Sequence, residues 1–217
     1  MKKNTPLGFT LVELLTCLAV IGILGAMVLA GLQTVRKQAD ATVATSNLRS
    51  IGAAMQMYAN DHDGSLPGPL NYGQFPKYKS NSTGLLGYFL WPYLDIPEPS
   101  NTWVEPDVLS NPAYLANRES DTVNAYLVQR SVRLAGQSGR PPFGYPEKSD
   151  GTPAVAPLTL QQIATYDLRE DWALQEVDRL HPDVSGWNAS SFLEEPAHGK
   201  FRVTLFFDWS VGRELVE

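Results

Sequence analysis

The sequence predicts an α+β protein, a long N-terminal helix packed on a small antiparallel β-sheet with long irregular loops, and three observations carry that expectation. An almost unbroken apolar run extends from Phe9 to Leu32. Beyond it Ala41, Ala44, Leu48, Ile51, Met55 and Tyr58 follow at spacings of 3, 4, 3, 4 and 3, one face of a continuing helix, while Asp40, Asn47, Arg49 and Gln56 fall off that face. After Asn60 the chain is punctuated by Gly, Pro and Asx residues and holds only short stretches of strand-like alternation.

The apolar run, Phe9 to Leu32, rises about 36 Å as a helix, enough to cross a hydrocarbon core of about 30 Å. One carboxylate, Glu13, sits near its start, where a charge in hydrocarbon costs roughly 2.5 to 3.5 kcal/mol. Glu13 either snorkels to the headgroups or meets a cation in a protein environment. An ordinary secretory signal peptide fits less well: the run is too long, although Val28-Leu29-Ala30 imitates a cleavage site. A plain membrane anchor gives no reason for a Gly8-Phe9 junction with an acid four residues beyond Phe9. Lys2 and Lys3 on one side are matched by Arg36 and Lys37 on the other, so basic residues do not set the orientation.

Two lysines, then Gly8-Phe9-Thr10-Leu11-Val12-Glu13-Leu14-Leu15, resemble the leader junction of type IV prepilins and type II secretion pseudopilins. The resemblance implies a pilin-like fold, cleavage after Gly8 by a prepilin peptidase, and methylation of the new amino terminus at Phe9. It also implies that Glu13 pairs with the Phe9 amine of a neighbouring subunit in a filament. It places the leader in the cytoplasm and the bulk of the chain outside the bacterial inner membrane. The expected partners are the peptidase, other pilin-like subunits including copies of this chain, an inner-membrane assembly platform and membrane lipid.

The chain has 17 basic and 23 acidic residues, a formal charge of −6. Removing residues 1–8 takes away Lys2 and Lys3 and no acid, giving −8. No clustered basic patch accompanies this surplus, so nucleic acid is not an expected partner. The single cysteine, Cys17, lies inside the apolar run, so the exported part holds no intramolecular disulfide. Many type IV pilins are stapled in that region, and the lack of a staple leans the resemblance toward pseudopilins.

The helix is expected to end at Asn60-Asp61-His62-Asp63-Gly64, followed by Pro67 and Pro69. Asp61 and Asp63 before Gly64 read either as an Asx-rich turn or as the start of a calcium loop, whose further ligands are missing. Calcium stays in view for the domain only because the family's major pseudopilins often bind it; no other cofactor is expected. Strands are expected at Gly87 to Leu94 and Thr122 to Gln129, and an exposed loop from Arg140 through Pro157 whose aromatics either cover a thin core or capture a ligand. Residues 163–180 read as helix or strand.

Within them, Trp172-Ala173-Leu174-Gln175-Glu176-Val177-Asp178 resembles a segment of a large group of prepilin-like proteins that also carry a histidine, nine residues, then Asp-Gly. Here His198 and Asp208 stand at that spacing, but Trp209 replaces the glycine, which puts a tight turn there in doubt and shifts the return to Ser210–Gly212 before Arg213–Val216. Between them Phe201 to Phe207 alternates as a strand. His198 and Asp208 read as a structural hydrogen-bonding pair, with metal ligation and catalysis as alternatives. No G-x-S-x-G or H-E-x-x-H pattern accompanies them, so no catalytic residue and no enzymatic activity are expected.

The expected organisation is a leader at 1–8, a membrane or filament-core segment at 9–32, an amphipathic helical half at 33–60 and a globular pilin-like domain at 61–217. The expected function is a structural subunit of a type II secretion pseudopilus, in the periplasm, or of a type IV pilus-like surface filament. The alternative is a membrane-anchored module that binds a glycan or secreted cargo.

Overall fold

A computed structural model describes residues 10–132, 139–147 and 154–216, without the side chains of residues 28–31, 33 and 34. The chain divides into two units, Met1–Ala39 and Asp40–Glu217. Helix α1 (Leu11–Asp61) runs through both. In the first unit the apolar side chains from Leu11 to Met27 are solvent-exposed: Leu11 is 81% exposed, and Leu14, Leu15, Leu18, Ile21 and Leu24 also lie more than half in the open. Among the described residues no helix is long and apolar enough to cross a membrane. Leu11 to Met27, the apolar stretch whose side chains are described, rises roughly 26 Å against the ~30 Å of a hydrocarbon core.

In the second unit the rest of α1 is the spine of the core. Ala41, Ala44, Leu48, Ile51 and Met55 are fully buried, as the spacing predicts, and Ala54 and Ala59 widen the stripe. Tyr58 is half-buried, stacked on His62 at 3.8 Å and edge-on to Phe89 and Tyr93. Gly52 sets how closely the sheet approaches: a Cβ there would lie 2.9 Å from Leu205 Cδ1.

Five strands form one antiparallel sheet in sequence order: β1 (Gly73–Gln74), β2 (Tyr126–Val128), β3 (Trp172–Glu176), β4 (Phe201–Phe206) and β5 (Val211–Leu215). Tyr126, Val128, Leu174, Val203 and Leu205 join the cluster built on α1. On the opposite face Leu127 packs with Val184 and Phe192, flanked by Trp172 and Trp187. Both faces are therefore covered, which is why Ala173 to Asp178 is buried without interruption and carries no period-2 signal.

Several expected elements change. Gly87 to Leu94 is not a strand: Leu86–Leu90 forms helix α2 and Trp91–Tyr93 a 3-10 turn. Leu86 and Leu90, four apart, bury one face, and Gln74 Oε1 accepts the Leu86 N–H at 2.6 Å, supplying the helix start that the local sequence lacks. Helix α3 (Pro112–Asn117), capped by Asn111, was not foreseen. The Thr122–Gln129 strand shrinks to β2. Residues 163–180 hold both options, the end of helix α4 (Leu160–Thr165) and then β3. A capping box starts α4: Gln162 N–H donates to Thr159 Oγ1 at 3.2 Å and Thr159 N–H to Gln162 Oε1 at 2.9 Å.

The loop after Arg140 is not simply exposed. Phe143 is fully buried and stacks on Phe207 at 5.8 Å. Residues 148–153 of that loop lie outside the described residues.

The β4–β5 turn closes one step earlier than expected. Trp209 takes the left-handed conformation itself, φ +69°, and Gly212 lies within β5 opposite Thr204. Asp208 Oδ1 accepts the Ser210 N–H at 2.8 Å, and Phe206 N–H donates to the Ser210 carbonyl at 3.0 Å. These bonds offset the ~1–2 kcal/mol that a non-glycine side chain costs there.

Candidate functional site

At the N-terminal end, Gly8 and Phe9 lie outside the described residues; the description starts at Thr10. Thr10 N–H and Thr10 Oγ1–H both donate to Glu13 Oε2 at 2.8 Å, and Glu13 N–H reaches Thr10 Oγ1 at 3.3 Å. This is a capping box at the start of α1, and it places a carboxylate on the positive end of the helix dipole. Both Thr10 bonds fall on Oε2; among the described residues Oε1 has no partner. Glu13 thus stands at the head of an exposed apolar helix with one carboxylate oxygen engaged and one open.

At the other end of α1, Asp61 Oδ2 accepts the Tyr93 hydroxyl at 2.9 Å. Asp63 and Gly64 both have positive φ, +53° and +79°, and Gly64 N–H donates to the Ala59 carbonyl at 2.8 Å, a left-handed helix stop. The geometry is that of an Asx-rich turn. Among the described residues no group of three or more His, Cys, Asp or Glu side chains could hold a metal ion.

His198 and Asp208 are not brought together. Asp208 serves the β4–β5 turn, while His198 Nε2 lies 3.1 Å from Glu176 Oε1. Glu176 Oε1 also accepts from Asn111 Nδ2 at 2.6 Å, and its Oε2 accepts the Val203 N–H at 2.9 Å. Two residues along, Asp178 makes a bidentate pair with Arg202: Nε to Oδ2 at 2.6 Å and Nη2 to Oδ1 at 2.8 Å. Glu176, Asp178, His198 and Arg202 are all buried. The Trp172–Asp178 segment and His198 thus meet in one buried polar seam that ties α3, β3 and β4 together. Asp178 and Arg202 as a pair were not legible in sequence; the signal was a carboxylate inside an apolar strand run.

Close to the Asp178–Arg202 pair, His181 Nε2 lies 2.6 Å from Gln175 Oε1, and its Nδ1 accepts the Asp183 N–H at 3.1 Å, which fixes the neutral Nε2–H tautomer. Burial, helped by the Arg202 charge and opposed by Asp183 and Asp178, holds His181 below its ordinary value of 6.5. The unfolded chain therefore takes up this proton more readily than the native one. The stability contributed by neutral His181 is complete above about pH 6.5 and is lost as pH falls toward the depressed native value. Thermal unfolding midpoints are expected to fall from pH 7.5 to pH 5, with a shallower fall in His181→Gln; identical profiles would contradict this assignment.

The N-terminal arrangement has a counterpart in known proteins, since residues 5–29 match the model of the prokaryotic N-terminal methylation motif. The chain carries a prepilin-type N-terminal methylation motif. That motif includes Glu13 and most of the exposed apolar helix. The type II secretion system core protein G of Pseudomonas aeruginosa is 36% identical over 62 residues, 29% of this chain and 44% of that protein. The chain thus aligns with less than half the length of that relative. No solved structure matches.

Proposed function

We propose that the chain is a structural subunit, not an enzyme, of a type II secretion pseudopilus or a type IV pilus-like filament. One observation carries this reading: the methylation motif opens a helix whose apolar residues are exposed on all sides, with Glu13 at its head. A soluble helix would bury such a surface; a bilayer and then a bundle of like helices are the two environments that cover it.

In this reading residues 1–8 are a cytoplasmic leader and 9–32 cross the inner membrane once. A prepilin peptidase cuts after Gly8, Phe9 becomes the methylated amino terminus, and an assembly platform inserts subunits into a filament in the periplasm or at the surface. Glu13 Oε1 receives the Phe9 amine of the neighbouring subunit while Oε2 stays on Thr10, so helix capping and subunit pairing do not compete. Water exclusion in the helix bundle strengthens that ion pair. Gently lysing cells that express the chain with its secretion apparatus, then imaging and immunolabelling the released material, tests this. Labelled filaments are expected, and a chain confined to monomers in the membrane would overturn it.

A further inference from the structure

Away from both sites, Arg130 lies between two aromatic rings beside an open groove. Its guanidinium carbon is 5.0 Å from the centre of the Tyr72 ring and 5.7 Å from that of Trp187. Tyr145 backs Tyr72 at 4.6 Å, and Phe192 backs Trp187 at 5.6 Å. Two rings thus flank the guanidinium, and two more pack against those rings. Of its five N–H donors, one Nη1–H bonds the Asp183 carbonyl at 2.8 Å; among the described residues the others have no partner.

The groove measures about 310 Å³ and is lined by Tyr72, Gln129, Arg130, Ser131 and Asp183. It narrows at Gly139, where a Cβ would lie 1.7 Å from Ser131 Oγ, so only glycine lets the two walls meet there. Four separate parts of the fold build it: the approach to β1, the exit from β2, the Gly139–Pro141 stretch and the 3-10 turn Pro182–Val184. The volume is at the small end of the ~300–1,000 Å³ range of small-ligand sites, room for one or two sugar rings.

We propose that this groove binds a saccharide bearing a carboxylate. A planar guanidinium with uncommitted donors matches a carboxylate in bidentate fashion. The flanking rings and the bond to the Asp183 carbonyl restrict the side chain beforehand, which reduces the entropy lost on binding. The Gln129 amide and the Ser131 hydroxyl supply the adjacent donors and acceptors that ring hydroxyls need. The faces of Tyr72 and Trp187 are already occupied by Arg130 and by their backing rings, so a neutral sugar that depends on ring stacking gains little. This inference is independent of filament assembly.

The test is calorimetric titration of the full-length chain in detergent micelles with trigalacturonate, with neutral maltotriose and triglutamate as comparisons. Saturable binding of trigalacturonate alone is expected, weakened by added salt. Arg130→Gln is expected to weaken it by at least about tenfold, and Arg130→Lys, which keeps the charge but not the fork, by a comparable factor. Gln129→Ala, which leaves the ring stack untouched, is expected to weaken it severalfold and serves should the arginine variants fail to fold. Absence of saturable binding, equal binding of maltotriose, tighter binding of triglutamate, or full affinity in folded Arg130→Gln or Gln129→Ala would each overturn the proposal.

Discussion

Asp178→Ala is expected to destabilise the second unit by about 3–5 kcal/mol, because it leaves the Arg202 guanidinium buried without its counter-charge. Asp178 is 1% exposed and Arg202 7%, and the two bonds between them are 2.6 and 2.8 Å long. For a unit of this size each kcal/mol is worth about 2–4 °C, so the midpoint of thermal unfolding should drop by roughly 6–20 °C. The informative comparison is the double variant Asp178→Leu, Arg202→Met. Replacing both charges by apolar groups of similar volume removes the desolvation penalty together with the attraction, and is expected to recover most of the lost stability. Circular dichroism melts of the full chain in detergent measure both. A single variant that melts within about 2 °C of the parent would show that the pair is solvated enough to be dispensable.

Glu13→Ala is expected to remove filament assembly while leaving membrane insertion and the melting of the second unit unchanged. Two losses combine in that variant. The capping box at Thr10 costs about 0.5–2 kcal/mol of local helix stability, which frays the first turn. The larger loss is the anion proposed to receive the neighbouring amine, an interaction worth far more once water is excluded than at an open surface. Thr10→Ala separates them, since it removes the cap and keeps the carboxylate. It is expected to assemble at reduced yield, whereas Glu13→Ala assembles at background level. Counting released filaments per cell by electron microscopy distinguishes the two, and normal filament yield from Glu13→Ala would contradict the role given to the carboxylate.

What the sequence disclosed depended on how much of each signal was local. The 3-4 spacing of Ala41 to Met55 survives into the fold because one helix face meets one core, so periodicity and burial are the same fact. Phe201 to Phe206 was legible for a similar reason, as a strand paired on both sides. The Leu86–Leu90 helix was not, because its cap comes from Gln74, twelve residues upstream, and no local residue announces it. The Trp172–Asp178 strand hid its state because both faces of the sheet are covered and alternation vanishes.

The sites divide in the same way. Glu13 is legible as a misplaced charge, and the Thr10-x-x-Glu13 capping box stands in the same letters, its signal overlaid by the apolar run that follows. The sequence pairs His198 with Asp208, but its hydrogen-bond partner is Glu176, which reaches it across the sheet rather than along the hairpin. The Asp208 carboxylate serves the turn that Trp209, a non-glycine residue at positive φ, makes costly. The Arg130 groove gathers Tyr72, Gln129, Gly139 and Asp183 from four segments, and nothing in their spacing foretells it.

The central claim, that a prepilin-type junction is processed and its product built into a filament, is tested most directly by the amino terminus of the chain recovered from native membranes. Mass spectrometry of that terminus is expected to find a chain beginning at N-methylated Phe9. An intact Met1, or a start near Gly31, would contradict it.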